Sequence, residues 1–493
     1  MTKSLTKIVC VAVLACAVAA IWAPGARAFS PYRVPPRPPQ PKSPSVKALL
    51  KGASVTAQAG WIVATLHGGP YQIGFQNGYL TAQSANYWTL VDLGSPGGAT
   101  RKAGERVARD VVWKKIPRQY RLELEGIAAG LRAAGYPQDT LWDVVAANDW
   151  ADQACYARAL HGPLATTAAE ARLLSRPRKG GCSAFIATGK STSDGRPVMG
   201  HNTWSAYDQN FMYNVMFSVH PTRGHAFCYQ SAGGQIWSGQ DWYENSAGLM
   251  LTETTLADTT YRPSGSPIFI RAREAAQYDS TVSQVVKTLL VDNNGAYCNE
   301  WLIGDRAGEI ASLQMGSKVH DLHVKRSGFF GSSNYDWGKA TRAEEGSQAD
   351  PPHPANDDYA RYVRWGQLDK QYGGHIDATT GKTMEADTYD TLLKKICPDE
   401  RTICGEPENG SAGVPYSSGN DGGAYDAKVC TEAMVLDGLQ MWARWGHPNG
   451  DTFSAAKFLA ANPTWAASNG RLAVFGLKTF AAQTPNPWVL LDF

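Results

Sequence analysis

Residues 178–188 read "RKGGCSAFIAT", and the pattern of the chain changes at this point. Before this stretch, apolar residues recur at helical spacing. After it, short apolar or alternating runs separated by turn residues indicate strands. Cys182 stands at the junction as one half of a disulfide, a core residue of a strand, or a nucleophile. The stretch therefore predicts a change from helices to strands and contains a candidate reactive residue.

The region before the junction, residues 47–181, is predicted to be a mostly helical N-terminal fragment. Its clearest helical pattern, "EGIAAGLRAAGYPQDTLWDVVAANDW", is broken at Gly135-Tyr136-Pro137. The fragment ends in "SRPRKGG", a basic stretch of the exposed kind in which chain breaks concentrate.

Residues 182–493 are predicted to form the second unit, which is rich in strands. Two later segments, "SPIFIRAREAAQYDSTVSQVVKTLLV" and "DDYARYVRWGQLDKQY", favour helices. Strand-rich and helical segments in this order suit layered α+β packing. The predicted strands are "SAFIATG", "PVMGHNTW", "NVMFSVHP", "HAFCYQS", "GLMLTETTL" and "EWLIGD".

The start of the chain resembles an export signal. Lys3 and Lys7 precede an apolar run over residues 8–22, and "ARA" supplies a small-residue cleavage site. The alternative, an uncleaved membrane anchor, is disfavoured because the run is short for a span. We predict a signal peptide over residues 1–28, a proline-rich linker over 29–46, and a secreted, periplasmic or lysosomal protein without a stable membrane span.

Charge and motifs exclude several classes of function. Lys plus Arg number 47 and Asp plus Glu 44, a balance that favours no nucleic-acid partner. "TGKSTS" lacks the first glycine of a phosphate-binding loop, where Ala184 stands, and no G-x-S-x-G stretch occurs. No close pair of Cys or His residues completes a tetrahedral metal site. We therefore predict no metal and no organic cofactor.

Seven cysteines follow the predicted signal peptide, and an exported protein usually pairs its cysteines. "CPDERTIC" closes a short loop, so we predict a Cys397–Cys404 disulfide. The odd total leaves one thiol over. The seven are Cys155, Cys182, Cys228, Cys298, Cys397, Cys404 and Cys430.

The surroundings of Cys182 suit a thiol that becomes an N-terminal nucleophile. If the chain breaks between Gly181 and Cys182, the α-amine of Cys182 becomes a base with an ordinary pKa of roughly 7.7–8.0, held at a fixed distance from the thiol. Glycine on the upstream side tolerates the backbone strain that helps such a break. On residue pattern alone, a core cysteine or a disulfide half fits equally well.

The chain also resembles the N-terminal nucleophile hydrolases, specifically the phospholipase B-like proteins and the related acyltransferase and choloylglycine-hydrolase group. The order of the motifs, with cysteine first and the Gly-His-Asn block one hairpin later, carries this resemblance. The motifs are "GGPYQIGFQNGYL" (68–80), "LELEGIAAGL" (122–131), "GCSAF" (181–185), "GHNTW" (200–204), "NSAGLMLTETT" (245–255), "FFGSSNYDW" (329–337) and "GAYDAKV" (423–429).

The resemblance implies a fold and a maturation. The fold is a four-layer αββα sandwich with a mostly helical, propeptide-derived N-terminal fragment. The chain cleaves itself between Gly181 and Cys182, Cys182 becomes the nucleophile, and the N-terminal fragment stays bound as a partner.

The resemblance also implies further site residues. His201, Asn202 and Trp204 fall in the first pocket-wall block, the first two as catalytic candidates and Trp204 for substrate binding. Choloylglycine-type relatives have arginine and aspartate where this chain has His201 and Trp204, which favours the phospholipase B-like branch. That difference leaves open which group orients the amine. A hydrogen-bonding histidine and a core tryptophan are the structural alternatives.

Asn334 is the implied donor to a developing oxyanion, with a turn asparagine as its structural alternative. Glu253 and Thr255 are implied substrate-binding candidates. The expected activity is hydrolysis of an amide or ester bond in an acyl-bearing small molecule or lipid. Two alternatives stay open: an acyltransferase that passes the acyl group to an amine, and a non-catalytic secreted binding protein on this scaffold.

Overall fold

The computed structural model describes residues 34, 36–152, 181–207, 212–256, 264–345, 352–410, 422–461 and 486–493. The predicted signal peptide and Cys155 lie outside the described residues. Within these ranges, no helix is long and apolar enough to cross a membrane.

The strands fall on both sides of the junction at Cys182. Among the described residues, two strands precede it, although a mostly helical fragment was expected there. In chain order, the strands are β1 (Ser54–Gln58), β2 (Trp61–Gly68), β3 (Gly181–Thr188), β4 (Val198–Ala206), β5 (Val215–Pro221), β6 (Phe227–Ser231), β7 (Trp242–Asn245), β8 (Leu249–Thr255), β9 (Asn299–Gly304), β10 (Ile310–Met315), β11 (His320–Lys325), β12 (Gly328–Ser332), β13 (Tyr389–Asp390), β14 (Lys395–Ile396), β15 (Gly422–Thr431), β16 (Met441–Trp445) and β17 (Val489–Leu491).

The helices confirm the predicted helical segments. The helix α5 ends where glycine was expected to stop it, because Gly135 adopts a left-handed φ of +100°. The described α-helices are α1 (Pro44–Leu49), α2 (Pro70–Leu80), α3 (Ala82–Asp92), α4 (Ala99–Val107), α5 (Arg118–Ala134), α6 (Leu141–Asn148), α7 (Ile268–Tyr278), α8 (Val282–Leu290), α9 (Lys339–Glu345), α10 (Asp357–Tyr372), α11 (Ala378–Glu385), α12 (Glu432–Leu436) and α13 (Ala455–Ala461).

Two large sheets form the centre of the molecule. The nine-stranded sheet has the order β1-β2-β5-β6-β7-β8-β9-β10-β11, and the six-stranded sheet has the order β12-β3-β4-β15-β16-β17. The pair β2–β5 is parallel, whereas the other pairs in both sheets are antiparallel. The strands β1 and β2 thus add part of the N-terminal region to the sheet that β5 to β11 build.

Helices cover the outer face of each sheet. The strand β3 of the six-stranded sheet faces β8 and β9 of the nine-stranded sheet. The helices α2, α7 and α8 pack on the nine-stranded sheet with α5 over α2, and α10 and α11 pack on the six-stranded sheet. The layers therefore run helix, sheet, sheet, helix, and the predicted αββα sandwich is confirmed.

Glycines allow α2 and α5 to cross at very short distance. A Cβ at Gly74 or Gly78 of α2 would collide with main-chain atoms of α5, and a Cβ at Gly126 or Gly130 would collide with main-chain atoms of α2. The two glycine motifs in the sequence, "GFQNG" and "GIAAG", are therefore the two sides of one helix crossing.

We expect Gly126→Ala to destabilise the protein by about 3 kcal/mol, because the added methyl group forces two packed helix backbones apart. Gly366→Ala in α10 is the matched control, since Gly366 is an exposed helical glycine with open space around its Cα. The control is expected to gain about 0.5–1 kcal/mol through helix propensity. Denaturant unfolding of both variants measures the difference, and equal stabilities would contradict the close crossing.

Candidate active site

Cys182 is the second residue of β3 and its side chain points between the two sheets. It pairs with Thr203 of β4, so both side chains lie on the same face of the six-stranded sheet. The thiol is buried, and its Sγ lies 3.9 Å from Asp241 Oδ2 and 3.9 Å from the main-chain oxygen of Trp204. The thiol thus approaches one carboxylate in the interior of the protein.

Asp241 is held rigidly in front of the thiol. Its φ of +60° is in the left-handed region, which non-glycine residues seldom occupy. The hydroxyl of Thr252 donates to its main-chain oxygen over 2.6 Å. The residue is buried and lies immediately before β7. Sequence reasoning missed Asp241, because no local motif marks it.

Glu253 of β8 forms a carboxyl pair with Asp241. Burial raises the pKa of the Asp241 carboxyl to about 6, while a hydrogen bond from Glu253 favours its ionised form. Burial and the Asp241 charge raise the pKa of Glu253 well above its usual range. These shifts favour the proton on Glu253 and the negative charge on Asp241. Burial and the same charge raise the pKa of the Cys182 thiol, which is protonated in this state.

His201 of β4, a catalytic candidate from its motif, lies in the same cluster. Its Nε2 lies 3.1 Å from the Glu253 main-chain oxygen and must be the protonated nitrogen, since a carbonyl only accepts. Its Nδ1 is buried without a hydrogen-bond partner. One ring nitrogen lies within 4.8 Å of both the thiol sulfur and an Asp241 oxygen. Burial and the Lys428 charge lower the pKa of His201, so the ring is neutral.

Asn334 contacts the nitrogen at which the chain was predicted to break. The Cys182 N–H donates to Asn334 Oδ1 over 2.7 Å, and Asn334 Nδ2 donates to the main-chain oxygen of Thr255 over 2.8 Å. Asn334 has a left-handed φ of +65°. Its predicted role as an oxyanion donor does not match this geometry, because the amide is oriented with its oxygen toward Cys182.

Arg361 of α10 fixes the start of β3 from the outer side. Its Nη1 donates to the Cys182 main-chain oxygen over 2.5 Å and to Ser183 Oγ over 3.1 Å. Both terminal nitrogens lie 3.3 Å from Asn334 Oδ1, and Nη2 donates to Asp358 over 2.7 Å. Sequence reasoning missed this buried arginine. The spacing of Asp358 and Arg361 on one helix face was the available signal.

Asn202 and Trp204 lie on the opposite face of β4 from the thiol, which corrects their predicted roles. Asn202 Oδ1 accepts from the Trp204 indole N–H over 2.9 Å, and its Nδ2 donates to Glu385 Oε2 of α11 over 2.8 Å. The Trp204 ring is buried beneath the Arg361 guanidinium, 4.3 Å away. Because side chains alternate along a strand, His201 faces the thiol while these two residues face the helices.

Glu253 and Thr255 lie two residues apart on one face of β8, and both reach the site. Thr255 Oγ1 lies 2.7 Å from the hydroxyl of Tyr297, and that hydroxyl donates to Glu253 Oε2 over 3.4 Å. Their proximity to Cys182 agrees with the expected location, and their role in substrate binding stays a prediction.

A buried ion pair between the sheets borders the site. Lys428 Nζ donates to Asp426 Oδ1 over 2.7 Å, to Thr203 Oγ1 over 2.8 Å and to Gln230 Oε1 over 2.6 Å. All four side chains are buried. Asp426 and Lys428 were not among the predicted site residues. Their spacing of two in the apolar strand "GAYDAKV" was the available signal, because it places both charges on one face.

The predicted disulfide is wrong. Cys397 and Cys404 both carry free thiols, and so do the other described cysteines. Cys404 is buried with its Sγ 3.7 Å from Glu406 Oε1, whereas Cys397 is partly exposed after β14. A short separation in sequence therefore did not predict a bond between these two thiols.

Outside this site, Glu406, Glu408 and His447 bring atoms of the kind that bind metals within 4.8 Å of one another. Protein partners already occupy them: His447 Nε2 lies 2.6 Å from Glu408 Oε1, and its Nδ1 lies 2.6 Å from the main-chain oxygen of Ala424. Although burial lowers it, the Glu408 carboxylate raises the pKa of His447 to about 9. The cluster is a buried ion pair as it stands.

A comparison with family models identifies part of the chain. Residues 98–317 match the model described as phospholipase B. Over this segment, the chain is similar to the phospholipase B family. The segment contains Cys182, His201, Asp241 and Glu253, and it ends before Asn334. The resemblance expected from the motifs is confirmed over residues 98–317.

Curated relatives match parts of the chain. An uncharacterised protein of Archaeoglobus fulgidus is 29% identical over 268 residues, which are 49% of this chain and 41% of the relative. A candidate phospholipase B-like 2 of Rattus norvegicus is 30% identical over 147 residues, 26% of this chain and 24% of the relative. The chain thus spans less than half the length of these relatives.

Among solved structures, a penicillin V acylase from Agrobacterium tumefaciens is similar with a TM-score of 0.33 and 13% identity, covering 54% of this chain and 83% of that chain. A mutant conjugated bile acid hydrolase from Clostridium perfringens has a TM-score of 0.29 and 11% identity, covering 53% and 89%. At these scores, the assignment of the αββα fold rests on the sheets and layers described above.

Proposed function

We propose that this chain is the precursor of a cysteine N-terminal nucleophile hydrolase. It breaks its own Gly181–Cys182 bond and then uses Cys182 to cleave an amide or ester bond of an acyl-bearing substrate. The observation that supports this most strongly is the placement of both reacting atoms of Cys182. Its nitrogen is bound by Asn334 Oδ1 at 2.7 Å, and its thiol faces Asp241 at 3.9 Å.

The proposed turnover uses Cys182 as both nucleophile and base. After the break, the α-amine takes the thiol proton, and the sulfur attacks the substrate carbonyl to form a thioester. The amine returns the proton to the leaving group, and water then releases the acyl group. Asn334 Oδ1 already accepts a hydrogen bond from this nitrogen and so orients the amine. Arg361 positions Asn334 and the Cys182 main chain.

The substrate class follows from the family description. A phospholipid ester is the first substrate to test, because the matching family is named for that activity. Amides of fatty or aromatic acids come next, since a thioester forms equally from an amide and an ester. A shared fold alone does not select between them.

The N-terminal fragment is proposed to stay bound after the break. Its β2 pairs in parallel with β5 from Ile62–Val215 to Gly68–Pro221, and α2 packs on the same sheet. The predicted signal peptide assigns the mature protein to a secreted, periplasmic or lysosomal location.

We expect alkylation of Cys182 to abolish turnover of the processed protein. Iodoacetamide is added before assays with a diacyl phospholipid, an N-acyl amide, and each of these with an added amine. Mass spectrometry then relates the modified cysteine to the lost activity. Products transferred to the added amine would identify the acyltransferase alternative. Full activity with Cys182 alkylated would contradict the proposed nucleophile.

A further inference from the structure

The proposed chain break needs a base that turnover does not need. Before the break, the Cys182 nitrogen belongs to the Gly181–Cys182 peptide bond, and resonance with the carbonyl removes its basicity. The α-amine therefore cannot activate its own thiol at this stage. The buried thiol is protonated, so another group must accept its proton first.

The groups around the thiol differ in their ability to accept a proton. Among the described residues, the two acceptors that contact Sγ are Asp241 Oδ2 and the Trp204 main-chain oxygen, each at 3.9 Å. A main-chain carbonyl is too weak a base. Burial and the Asp241 charge raise the pKa of Glu253, which favours its protonated form, and Lys428 pairs with Asp426. The neutral His201, whose Nδ1 lacks a hydrogen bond, is the rival.

We propose that the Asp241 carboxylate is the base that accepts the Cys182 thiol proton when the Gly181–Cys182 bond breaks. The inference rests on the proposed function and adds a catalytic residue specific to maturation. Three features support it: the contact with Sγ, the burial of the carboxylate, and the hydrogen-bonding Glu253 beside it.

The proton returns within the same step. The thiol proton moves to Asp241, and the sulfur attacks the Gly181 carbonyl carbon to form a C–S bond. The C–N bond then breaks, and Asp241 gives its proton to the departing Cys182 nitrogen, which becomes an amine. Water next hydrolyses the thioester, which leaves a carboxylate on Gly181 and restores the thiol. One water molecule is consumed in total.

The test compares self-cleavage of full-length variants. Asp241→Asn keeps the side-chain shape and suits the left-handed backbone, but its amide is not a base. We expect it to cleave about 100-fold more slowly than the wild type or worse. Glu244→Gln is the matched control, since Glu244 is a buried carboxyl three residues away that pairs with Trp242 Nε1. Its cleavage rate should equal that of the wild type.

The measured quantity is the fraction of broken chain over time, by denaturing gel and by the mass of the fragment that begins at Cys182. Hydroxylamine, which splits thioesters, locates the blocked step. If Asp241→Asn fails before the thioester forms, as proposed, hydroxylamine does not restore cleavage. Restoration would place the role of Asp241 in thioester hydrolysis and overturn the inference.

A pH profile of the wild type provides a test that needs no variant. The cleavage rate should fall as the pH decreases through about 6, because the Asp241 carboxylate becomes protonated there. A rate that is constant from about pH 5 to 8 would overturn the inference. The titratable groups that face Asp241 are Cys182, His201, Tyr243, Glu253, Tyr297, Tyr425, Asp426 and Lys428.

The outcomes separate this inference from the proposed function. A wild-type chain that stays intact would contradict both the inference and the proposed function. Equal cleavage by the wild type and Asp241→Asn overturns the inference and leaves the proposed function in place. A larger loss in His201→Gln than in Asp241→Asn would assign the base to His201 instead.

Discussion

Cys182→Ala is expected to remain a single chain and to lose hydrolase activity completely. The methyl group has neither the sulfur that attacks Gly181 nor the sulfur that would carry the acyl group, so both reactions stop. The fold should persist, since alanine fits the buried position on β3. A denaturing gel reports the chain break, and release of free fatty acid from a phospholipid reports turnover.

Cys228→Ala is the matched control for this variant. Cys228 is also a buried, free thiol on a strand, but it lies on β6 within the nine-stranded sheet. It should cleave as the wild type does. If Cys182→Ala still yields two fragments at the same bond, Cys182 is not the group that breaks the chain.

Arg361→Met is expected to cost about 3–5 kcal/mol of unfolding free energy and to stop chain cleavage. Arg361 is fully buried, and its loss leaves Asp358, the Cys182 carbonyl and Asn334 without their common partner. Methionine fills a similar volume, so the effect reports lost hydrogen bonds and charge rather than a cavity. Denaturant unfolding and the gel assay measure the two losses.

Arg326→Met provides the comparison with a surface ion pair. Arg326 pairs with Glu309 over 2.8 Å, but 67% of its side chain is exposed. Such pairs contribute about 0–1 kcal/mol, so this variant should be nearly as stable as the wild type and should cleave normally. A small stability change in Arg361→Met would show that its hydrogen bonds do not hold the start of β3.

The local sequence pattern predicted the helices and their ends, which depend on neighbouring residues. The helix over 357–372 and the end of α5 at Gly135 follow from apolar spacing and a glycine stop. The strands β1 and β2 were missed. β1 pairs with β2, whose other partner β5 begins about 150 residues later, so that parallel pairing depends on tertiary contact.

The site residues also divide into those that motifs predicted and those that only tertiary packing brings to Cys182. The family motifs predicted Cys182, His201, Glu253, Thr255 and Asn334 in one region, and the structure brings these five together. The residues that contact Cys182 most directly lie 59, 152 and 179 positions away, namely Asp241, Asn334 and Arg361. Such contacts depend on the packing of two sheets and a helix. The local pattern of a single sequence does not reveal that packing.

Strand register determines which side chains of one motif face the thiol. "GHNTW" contributes His201 to the thiol face and both Asn202 and Trp204 to the helix face, because the hairpin pairs Cys182 with Thr203. A shift of one residue would reverse these roles. The motif predicted the location of the block but could not predict which side chains face the thiol.

N-terminal sequencing of the purified protein, with its intact mass, tests the central claim most directly. The account predicts two chains under denaturing conditions, and the second begins Cys-Ser-Ala-Phe at residue 182. A single chain in which the Gly181–Cys182 bond is intact would contradict it.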